Sequence, residues 1–189
     1  VGVSPITSVA ELAALGPGIA WSDASYYLFF FLGLATTNQY AHAVSERDYA
    51  KSEQVLSRSL VTALASGLVL TIFQYALSGP VIRLLSGAAL DSIPYGLKYA
   101  RIRAFAAPAA LITLVIQAAR LGAHDTATPW RINAIAGASN LMGNLLLVSA
   151  LGKGIVGAAW ATTLSQYIGA VCLLVPAARR LVTARKKGG

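Results

Sequence analysis

Five long stretches of the chain contain no aspartate, glutamate, lysine or arginine, and each is dominated by apolar residues. They cover residues 24–45, 60–82, 104–119, 132–152 and 154–178. A membrane-spanning helix needs about 20 mostly apolar residues, and each stretch reaches or nearly reaches that length. The strict apolar–polar alternation of a transmembrane strand is absent. The pattern therefore predicts helices, whose backbone polar groups are satisfied within each segment in lipid.

The positions of turn residues refine these stretches into a predicted domain plan. We predict one membrane-embedded helical lobe over residues 17–178, preceded by an extramembrane loop over residues 1–16. A basic tail over residues 179–189 follows it. Because the connections are short, successive helices should be antiparallel neighbours. The expected spans are residues 17–43, 56–80, 98–121, 130–151 and 154–178, each bound being approximate.

Composition supports an integral, multi-pass membrane protein. The chain has 189 residues, of which 56% are hydrophobic and only 12% are charged. Soluble domains carry about 25% charged residues, so this chain could not cover a soluble surface. The single cysteine, Cys172, excludes a disulfide framework and a cysteine-based zinc site.

The net charge of +8 is concentrated between the uncharged stretches, which argues for a membrane and against a nucleic-acid partner. The positive-inside rule places the more basic face in the cytoplasm or its equivalent. The amino terminus then starts on the opposite face, which predicts an upstream helix outside this chain. The basic face carries Arg47, Lys51, Arg58, Arg120, Arg131, Arg179, Arg180, Arg185, Lys186 and Lys187, and the other carries Arg83, Lys98, Arg101, Arg103 and Lys153.

Polar residues inside the spans are the candidate functional groups, because they are costly in lipid and usually face a cavity or another helix. Asn140 and Asn144 share one helix face, and Thr162 lies on the next helix. Gln117 lies late in the third stretch. Each of these could instead form an interhelical hydrogen bond that only stabilises the bundle. Asp23 is either an intramembrane proton carrier or an exposed residue at a helix end.

No enzyme constellation is present, and we expect neither catalysis nor a bound cofactor. His42 and His124 lack the spacing of metal ligands. The nucleophile elbow, the phosphate-binding loop and the dinucleotide-binding glycine motif are all missing from the sequence.

Five places in the chain carry recognisable strings. The most specific is GIVGAAWATTLSQ at residues 154–166. The others are ELAALGPG at 11–18, ATTN at 35–38, Tyr99 with Arg103 and Pro108, and Gln117 with Gly122, Asp125, Thr126 and Pro129. In this order they resemble one family of membrane transporters, the MATE (multidrug and toxic compound extrusion) family of the MOP superfamily, with residues 154–166 similar to the family's sixth helix. The resemblance is strongest to the plant and algal DETOXIFICATION (DinF-like) branch, which has plastid members.

The resemblance implies a fold of two six-helix lobes around a central cavity. This chain would supply helices two to six of the amino-terminal lobe. The expected partners are the lipid bilayer, a small organic substrate, and the first helix and second lobe, which this chain does not include. It also implies export of organic compounds, including xenobiotics, by antiport with protons or sodium and by alternating access. The plastid members of the branch favour a chloroplast membrane.

The resemblance also implies a cation site in this lobe. Tyr99, Asn140 and Thr162 match three residues that help form it in DinF-like proteins. The position of its aspartate holds Asn144, which brings no negative charge. Together with Gln117, these residues are expected to line the cavity.

Two alternatives remain open at the level of sequence. One is a lipid-linked precursor flippase of the same superfamily, against which we count the lack of a basic residue in any uncharged stretch. The other is a truncated membrane subunit that does not transport, which the loss of a coupling acid would fit.

Overall fold

The computed structural model describes residues 9–87 and 89–187, and this part of the chain is about 90% helical without a strand. The predicted all-α membrane fold is therefore confirmed. A 3₁₀ turn (Leu90–Ser92) precedes α4, and a π-helical turn (Leu145–Ala150) continues α6. The helices are α1 (Val9–Tyr27), α2 (Phe30–Ser45), α3 (Tyr49–Ser86), α4 (Ile93–Ala104), α5 (Ala107–Gly122), α6 (Ala127–Asn144) and α7 (Gly154–Lys187).

Three helical segments in the described residues are long and apolar enough to cross a membrane: α3, α6 with its π turn, and α7 up to Ala177. A fourth span results if α4 and α5, bent by 50° at their junction, count as one. The predicted first span falls on α1 and α2, which are separated by a turn at Leu28 and Phe29. The predicted number of five spans remains a prediction.

The predicted loop over residues 1–16 is wrong for the part that is described. Residues 9–16 belong to α1, which continues through Pro17 to Tyr27. Alanine, leucine and glutamate are strong helix formers, and they outweigh one interior proline. Residues 1–8 lie outside the described part of the chain.

Two further boundaries differ from the expected ones. Pro80, the expected end of the second span, lies inside α3, which continues to Ser86. A proline removes only one backbone hydrogen bond and is tolerated inside membrane helices. The backbone of the predicted basic tail continues α7 to Lys187.

The starts of α1 and α7 meet at Gly154. This residue has φ of +52°, a conformation that favours glycine. A Cβ atom there would collide with the carboxylate of Glu11. Glycine therefore lets the first turn of α7 lie directly against the first turn of α1.

Helix α5 lies at the centre of the bundle, packed against α2, α3 and α7. Its side chains Leu111, Val115 and Ile116 are buried together with Leu70 of α3 and Leu173 of α7. In a membrane such helices associate through close van der Waals packing, because lipid is as apolar as leucine. By contrast, Pro129 is the only buried residue in α6.

Gly67 provides the closest approach between α3 and α5. A Cβ atom at this position would lie 2.5 Å from Cα and 3.0 Å from N of Pro108. These are backbone atoms, so they cannot move aside as a flexible side chain does. The bundle therefore depends on a small residue here.

We predict that Gly67→Ala lowers the stability of the purified protein in detergent micelles by about 1–3 kcal/mol, because the added methyl group forces α3 and α5 apart. Gly137→Ala in α6 is the matched control, since its Cβ atom would meet nothing within 4 Å. Thermal unfolding followed by circular dichroism measures both. Equal melting temperatures for the two variants would contradict the close approach.

Candidate functional site

The helical hydrogen bonding is interrupted at the junction of α4 and α5, the bent pair of helices that could together form one span. Phe105 and Ala106 form a turn between the two helices, and Pro108 follows immediately. Proline has no N–H to donate to the carbonyl of Ala104, four residues earlier. Carbonyl groups near the break therefore need other donors.

Four hydroxyl groups from three neighbouring helices donate to consecutive carbonyls at this break. Tyr26 of α1 donates to Arg103 over 3.4 Å, and Thr71 of α3 donates to Ala104 over 3.1 Å. From α7, Thr163 donates to Ile102 over 3.5 Å and Tyr167 donates to Phe105 over 2.8 Å. The bend is thus held from three sides by side chains.

Arg103 lies at this break and is buried, with only 4% of its surface exposed. Its guanidinium lies 5.9 Å from the centre of the Tyr26 ring. Within the described part of the chain its Nε and Nη1 atoms have no hydrogen-bond partner. The charge count along the sequence assigned Arg103 to one membrane face, whereas in the structure its side chain is buried.

Asn140 and Asn144 form one polar cluster with the facing helix α7. The Asn144 Nδ2 donates to both the backbone carbonyl and the side-chain Oδ1 of Asn140, the former over 3.0 Å. Asn140 Nδ2 donates to Ser165 Oγ over 3.4 Å. Ser165 in turn donates to the carbonyl of Thr162 over 2.8 Å. The Thr162 hydroxyl donates to Ala158 of its own helix.

A cavity of about 220 Å³ lies beside Asn144. Asn144 is the last residue of α6, and the π turn that follows widens the helix at this point. The cavity is mostly apolar, with Asn144 and Ser149 as its polar side chains. Its remaining lining comes from Leu12, Leu15, Leu141, Leu145, Val148, Gly154, Ile155 and Ala158.

Gln117 lies in a different place from the asparagine cluster. Its Nε2 donates to Asn133 Oδ1 over 2.8 Å, which bridges α5 and α6. Both residues line a second cavity of about 300 Å³ between α5, α6 and α7, together with Thr113 and Gln166. No ionisable side chain lines this cavity.

Tyr99 and Asp23 lie where α1 packs against α4. Tyr99 is buried with Ala14, Ile155 and Ala159, and a Cβ atom at Gly18 would lie 2.6 Å from its ring. Asp23 is exposed on the surface of α1. The structure therefore brings Asn140, Asn144 and Thr162 together and separates Gln117 and Asp23 from them.

Sequence reasoning missed the hydroxyl groups at the break and the burial of Arg103. The available signal was the spacing from Arg103 to Pro108, since a proline frees the carbonyl four residues before it. The identity of the four donors could not be inferred, because they come from distant positions in the chain.

Two groups of charged side chains lie on the connections between helices. Glu46 accepts a hydrogen bond from Lys51 over 2.8 Å and contacts His42 at 3.2 Å. The hydrogen bond from Lys51 is the main cause that lowers the pKa of the Glu46 carboxyl. These side chains are exposed, so the contacts add little stability. No cluster that could hold a metal ion occurs in the described ranges.

Asp125 stabilises the start of α6. Its Oδ1 accepts from the Thr128 backbone N–H over 3.0 Å, and its Oδ2 accepts from the Thr128 hydroxyl over 2.7 Å. These hydrogen bonds, with Arg120 at 3.6 Å, lower the pKa of the Asp125 carboxyl. The side chain thus acts as a cap of the helix, as an aspartate near a helix start is expected to do.

The long apolar helices, the bent α4–α5 pair and the polar clusters between helices define a multi-pass helical membrane protein. The chain belongs to the MATE family, because the MatE family model matches residues 2–146. The family resemblance found in the sequence is thereby confirmed.

Curated relatives include chloroplast and bacterial proteins. The chain is 37% identical over 169 residues to Protein DETOXIFICATION 47, chloroplastic, of Arabidopsis thaliana, covering 88% of this chain and 31% of that protein. It is 29% identical over 177 residues to Protein DETOXIFICATION 44, chloroplastic, of the same plant, covering 87% and 34%. DNA damage-inducible protein F of Escherichia coli (strain K12) is 27% identical over 168 residues, covering 87% and 36%. The chain thus spans about a third of the length of these relatives.

Solved structures show the same fold at 24% sequence identity. A MOP superfamily transporter from Pyrococcus furiosus superposes with a TM-score of 0.79, covering 88% of this chain and 36% of that chain. The inward-facing conformation of a multidrug resistance MATE family transporter of the MOP superfamily gives 0.78, covering 87% and 37%. The outward-facing conformation also gives 0.78, covering 88% and 37%.

We predict that Asp125→Ala destabilises the protein by about 1 kcal/mol at pH 7, because α6 loses its cap. The lowered pKa of Asp125 means that its contribution is present above the ordinary pKa of an aspartate and disappears as the pH falls through the lowered value. Thermal melts of wild type and variant should therefore converge at acidic pH. A difference that stays constant over the whole pH range would contradict the ionic cap.

Proposed function

We propose that this chain forms part of a secondary active transporter that exports small organic compounds, including xenobiotics, across a membrane by alternating access. The observation that supports the proposal most is the polar cluster of Asn140, Asn144 and Ser165 between two membrane helices beside a cavity. Polar side chains are rare inside membrane bundles, and in transporters they mark substrate and ion pathways. Because the family consists of transporters, these polar side chains are explained by transport without a catalytic role.

The cavity beside Asn144 is suited to an organic molecule with a small polar part. Its lining is mostly apolar, and Asn144 and Ser149 offer hydrogen bonds. Such a combination is typical of small-molecule sites. Tyr99 packs against Ile155 and Ala159 of α7, and Ile155 also lines this cavity. The Thr162 hydroxyl donates to the carbonyl of Ala158, another residue of the cavity lining. The Gln117 cavity would provide a separate polar surface for a substrate.

The counter-ion of the antiport is a proton or sodium, and the asparagine pair bears on how this lobe handles it. The amide hydrogens of Asn144 already face both oxygen atoms of Asn140. An ionised aspartate at this position would place oxygen against oxygen, and a proton or cation would have to lie between them. Asn144 thus closes the pair without an ion, so the coupling group would lie elsewhere.

The membrane is proposed to be that of a plastid, because two of the curated relatives are named as chloroplastic. The partners are the bilayer, the organic substrate and the additional helices that the longer relatives contain, namely a first helix and a second lobe. A nucleic-acid partner is not part of the proposal.

One observation favours the lipid-linked precursor flippase as a second candidate. Its main counter-argument was the lack of a basic residue inside the spans, and Arg103 is now found buried between α4 and α5. Arg103 does not line the cavity beside Asn144, however. Export of organic compounds therefore remains the better-supported function.

We predict that Asn144→Leu reduces efflux of ethidium from proteoliposomes containing the complete gene product by about fivefold, the effect of one lost hydrogen bond of about 1 kcal/mol. Met142→Leu is the control, because Met142 is exposed on the same helix and does not line the cavity. Asn144→Asp should add a requirement for a proton or cation at this position, seen as a steeper dependence of efflux on acid pH or sodium than in the wild type, because an ionised aspartate would face the oxygen atoms of Asn140.

The wild-type protein should drive this efflux when a pH or sodium gradient is imposed. A folded wild-type protein that moves no dye under either gradient would overturn export of organic compounds and favour a subunit that does not transport. Unchanged efflux in Asn144→Leu would remove Asn144 from the binding site.

A further inference from the structure

The cavity between α5, α6 and α7 contains buried polar atoms that have no partner in the described part of the chain. The Thr113 Oγ1 and the Gln166 Oε1 are both buried, and neither forms a hydrogen bond with these residues. Both side chains line this cavity of about 300 Å³. A buried polar atom without a partner costs free energy, so two of them at one cavity require an explanation.

Thr113 differs from five other threonines in the described helices. A threonine inside a helix commonly donates its hydroxyl to the carbonyl four residues earlier. Five threonines do so here: Thr36, Thr37, Thr62, Thr71 and Thr162. The Thr113 hydroxyl forms no such bond with Ala109 and therefore remains available at the cavity.

The polar groups of this cavity come from three helices. Thr113 and Gln117 lie four residues apart on α5, so they share one face. The Gln117 Nε2 donates to Asn133 Oδ1 of α6 over 2.8 Å. Gln166 lines the cavity from α7, and its Oε1 receives no hydrogen bond from the described residues. This oxygen can accept only from a donor that enters the cavity.

The remaining lining defines what kind of molecule fits. Ala110, Ala136 and Gly169 are small and leave space between the helices, while Leu114 and Ile132 offer apolar contacts. None of the residues that line the cavity is ionisable. A charged ligand would lose its water here without gaining a counter-charge. The lining therefore favours an uncharged organic molecule with a polar group at one end.

We propose that this cavity binds an uncharged organic compound through a hydroxyl or amide donor. The donor bonds to the Oε1 of Gln166, and the Thr113 hydroxyl supplies a second hydrogen bond to the same ligand. Gln166 is thus the residue that selects for compounds with a donor. The assignment as a substrate class rests on the proposed function, because it requires that the bound compound is exported, but the binding itself does not.

Umbelliferone and its methyl ether herniarin test this selection. Both are uncharged in mildly acidic buffer, and only umbelliferone carries a hydroxyl donor. Equilibrium dialysis with lipid nanodiscs that contain the complete gene product, corrected with empty nanodiscs, measures their binding. We expect the wild type to bind umbelliferone about fivefold more tightly than herniarin, the effect of one hydrogen bond. Gln166→Leu should bind both equally, whereas Gln54→Leu, on the exposed surface of α3, should keep the preference.

Equal binding of the two probes by the wild type, as expected if only water fills the cavity, would overturn the proposal. A preference that persists in Gln166→Leu would also overturn it, because the added methyl group of herniarin would then explain the difference. If Gln166→Leu does not fold, Thr113→Val replaces it, since valine keeps the shape of threonine. This variant should bind umbelliferone about fivefold more weakly, and an unchanged affinity would contradict the site.

The melting temperature without a probe separates a binding role from a structural one. A hydroxyl that joins two helices stabilises the protein, whereas one without a partner does not. Thr113→Val should therefore melt no lower than the wild type. Thr71→Val is the matched control and should melt lower, because Thr71 donates to the carbonyls of Gly67 and Ala104. A loss in Thr113→Val as large as that in Thr71→Val would overturn the proposal.

Export assays distinguish a failure of this proposal from a failure of the proposed function. If Gln166 selects umbelliferone in the dialysis but the wild type exports neither umbelliferone nor ethidium under a gradient, the transport function is wrong and the binding site is supported. If the wild type exports ethidium and binds umbelliferone and herniarin equally, export is supported and the donor-selective site is wrong.

Discussion

The structure depends on how the backbone carbonyls at the break between α4 and α5 find hydrogen-bond donors. A membrane interior supplies no water, so every such carbonyl must be satisfied by the protein. Thr71 of α3 and Tyr167 of α7 donate to the carbonyls of Ala104 and Phe105. Tyr26 of α1 and Thr163 of α7 donate to the carbonyls of Arg103 and Ile102, which also accept from the backbone N–H groups of Ala106 and Phe105. The same contacts hold these three helices around the bend, and Gly67 lets α3 approach closely enough for Thr71 to reach.

This break also explains why a charged group is buried at the centre of the bundle. The last turn of α4 carries Arg103 inward, while its neighbour Arg101 points to the surface. The tyrosine ring of residue 26 lies against the guanidinium, and the tyrosine hydroxyl binds the carbonyl of the same arginine. Tyr26 thus donates a hydrogen bond at the break and also stabilises the buried guanidinium through its ring. The Asn140–Asn144 pair is uncharged, and Asn140 also donates to Ser165 of α7.

Most of the fold could be predicted from the sequence, but individual boundaries could not. The uncharged stretches predicted the helical regions because membrane helices must exclude charge over about 20 residues. The same criterion failed at both ends of the predicted lobe, where α1 starts earlier and α7 ends later than the uncharged stretches, with charged residues in the additional turns. It also failed at Arg103. The uncharged stretch begins only after this charge, at residue 104, whereas the helix α4 already begins at Ile93.

The residues expected to line one cavity are only partly brought together in the structure. The spacing of Asn140 and Asn144 predicted a shared face, since residues four apart lie above one another on a helix. Gln117 was expected in the same cavity, yet it bonds to Asn133 about two turns before Asn140. Spacing along one helix cannot show which part of a neighbouring helix lies opposite, because this depends on the crossing of the two helices.

The sequence by itself determined that this protein is a helical membrane bundle and that Asn144 brings no charge. It also determined which polar residues lie within the apolar stretches. These properties follow from local composition, which sets the free energy of transfer into the bilayer residue by residue. Only the tertiary structure decided which hydroxyls donate to the carbonyls at the break between α4 and α5, which asparagines meet, and that Arg103 is buried beside the Tyr26 ring. Those contacts join residues up to 77 positions apart in the chain, and they form only when the helices pack.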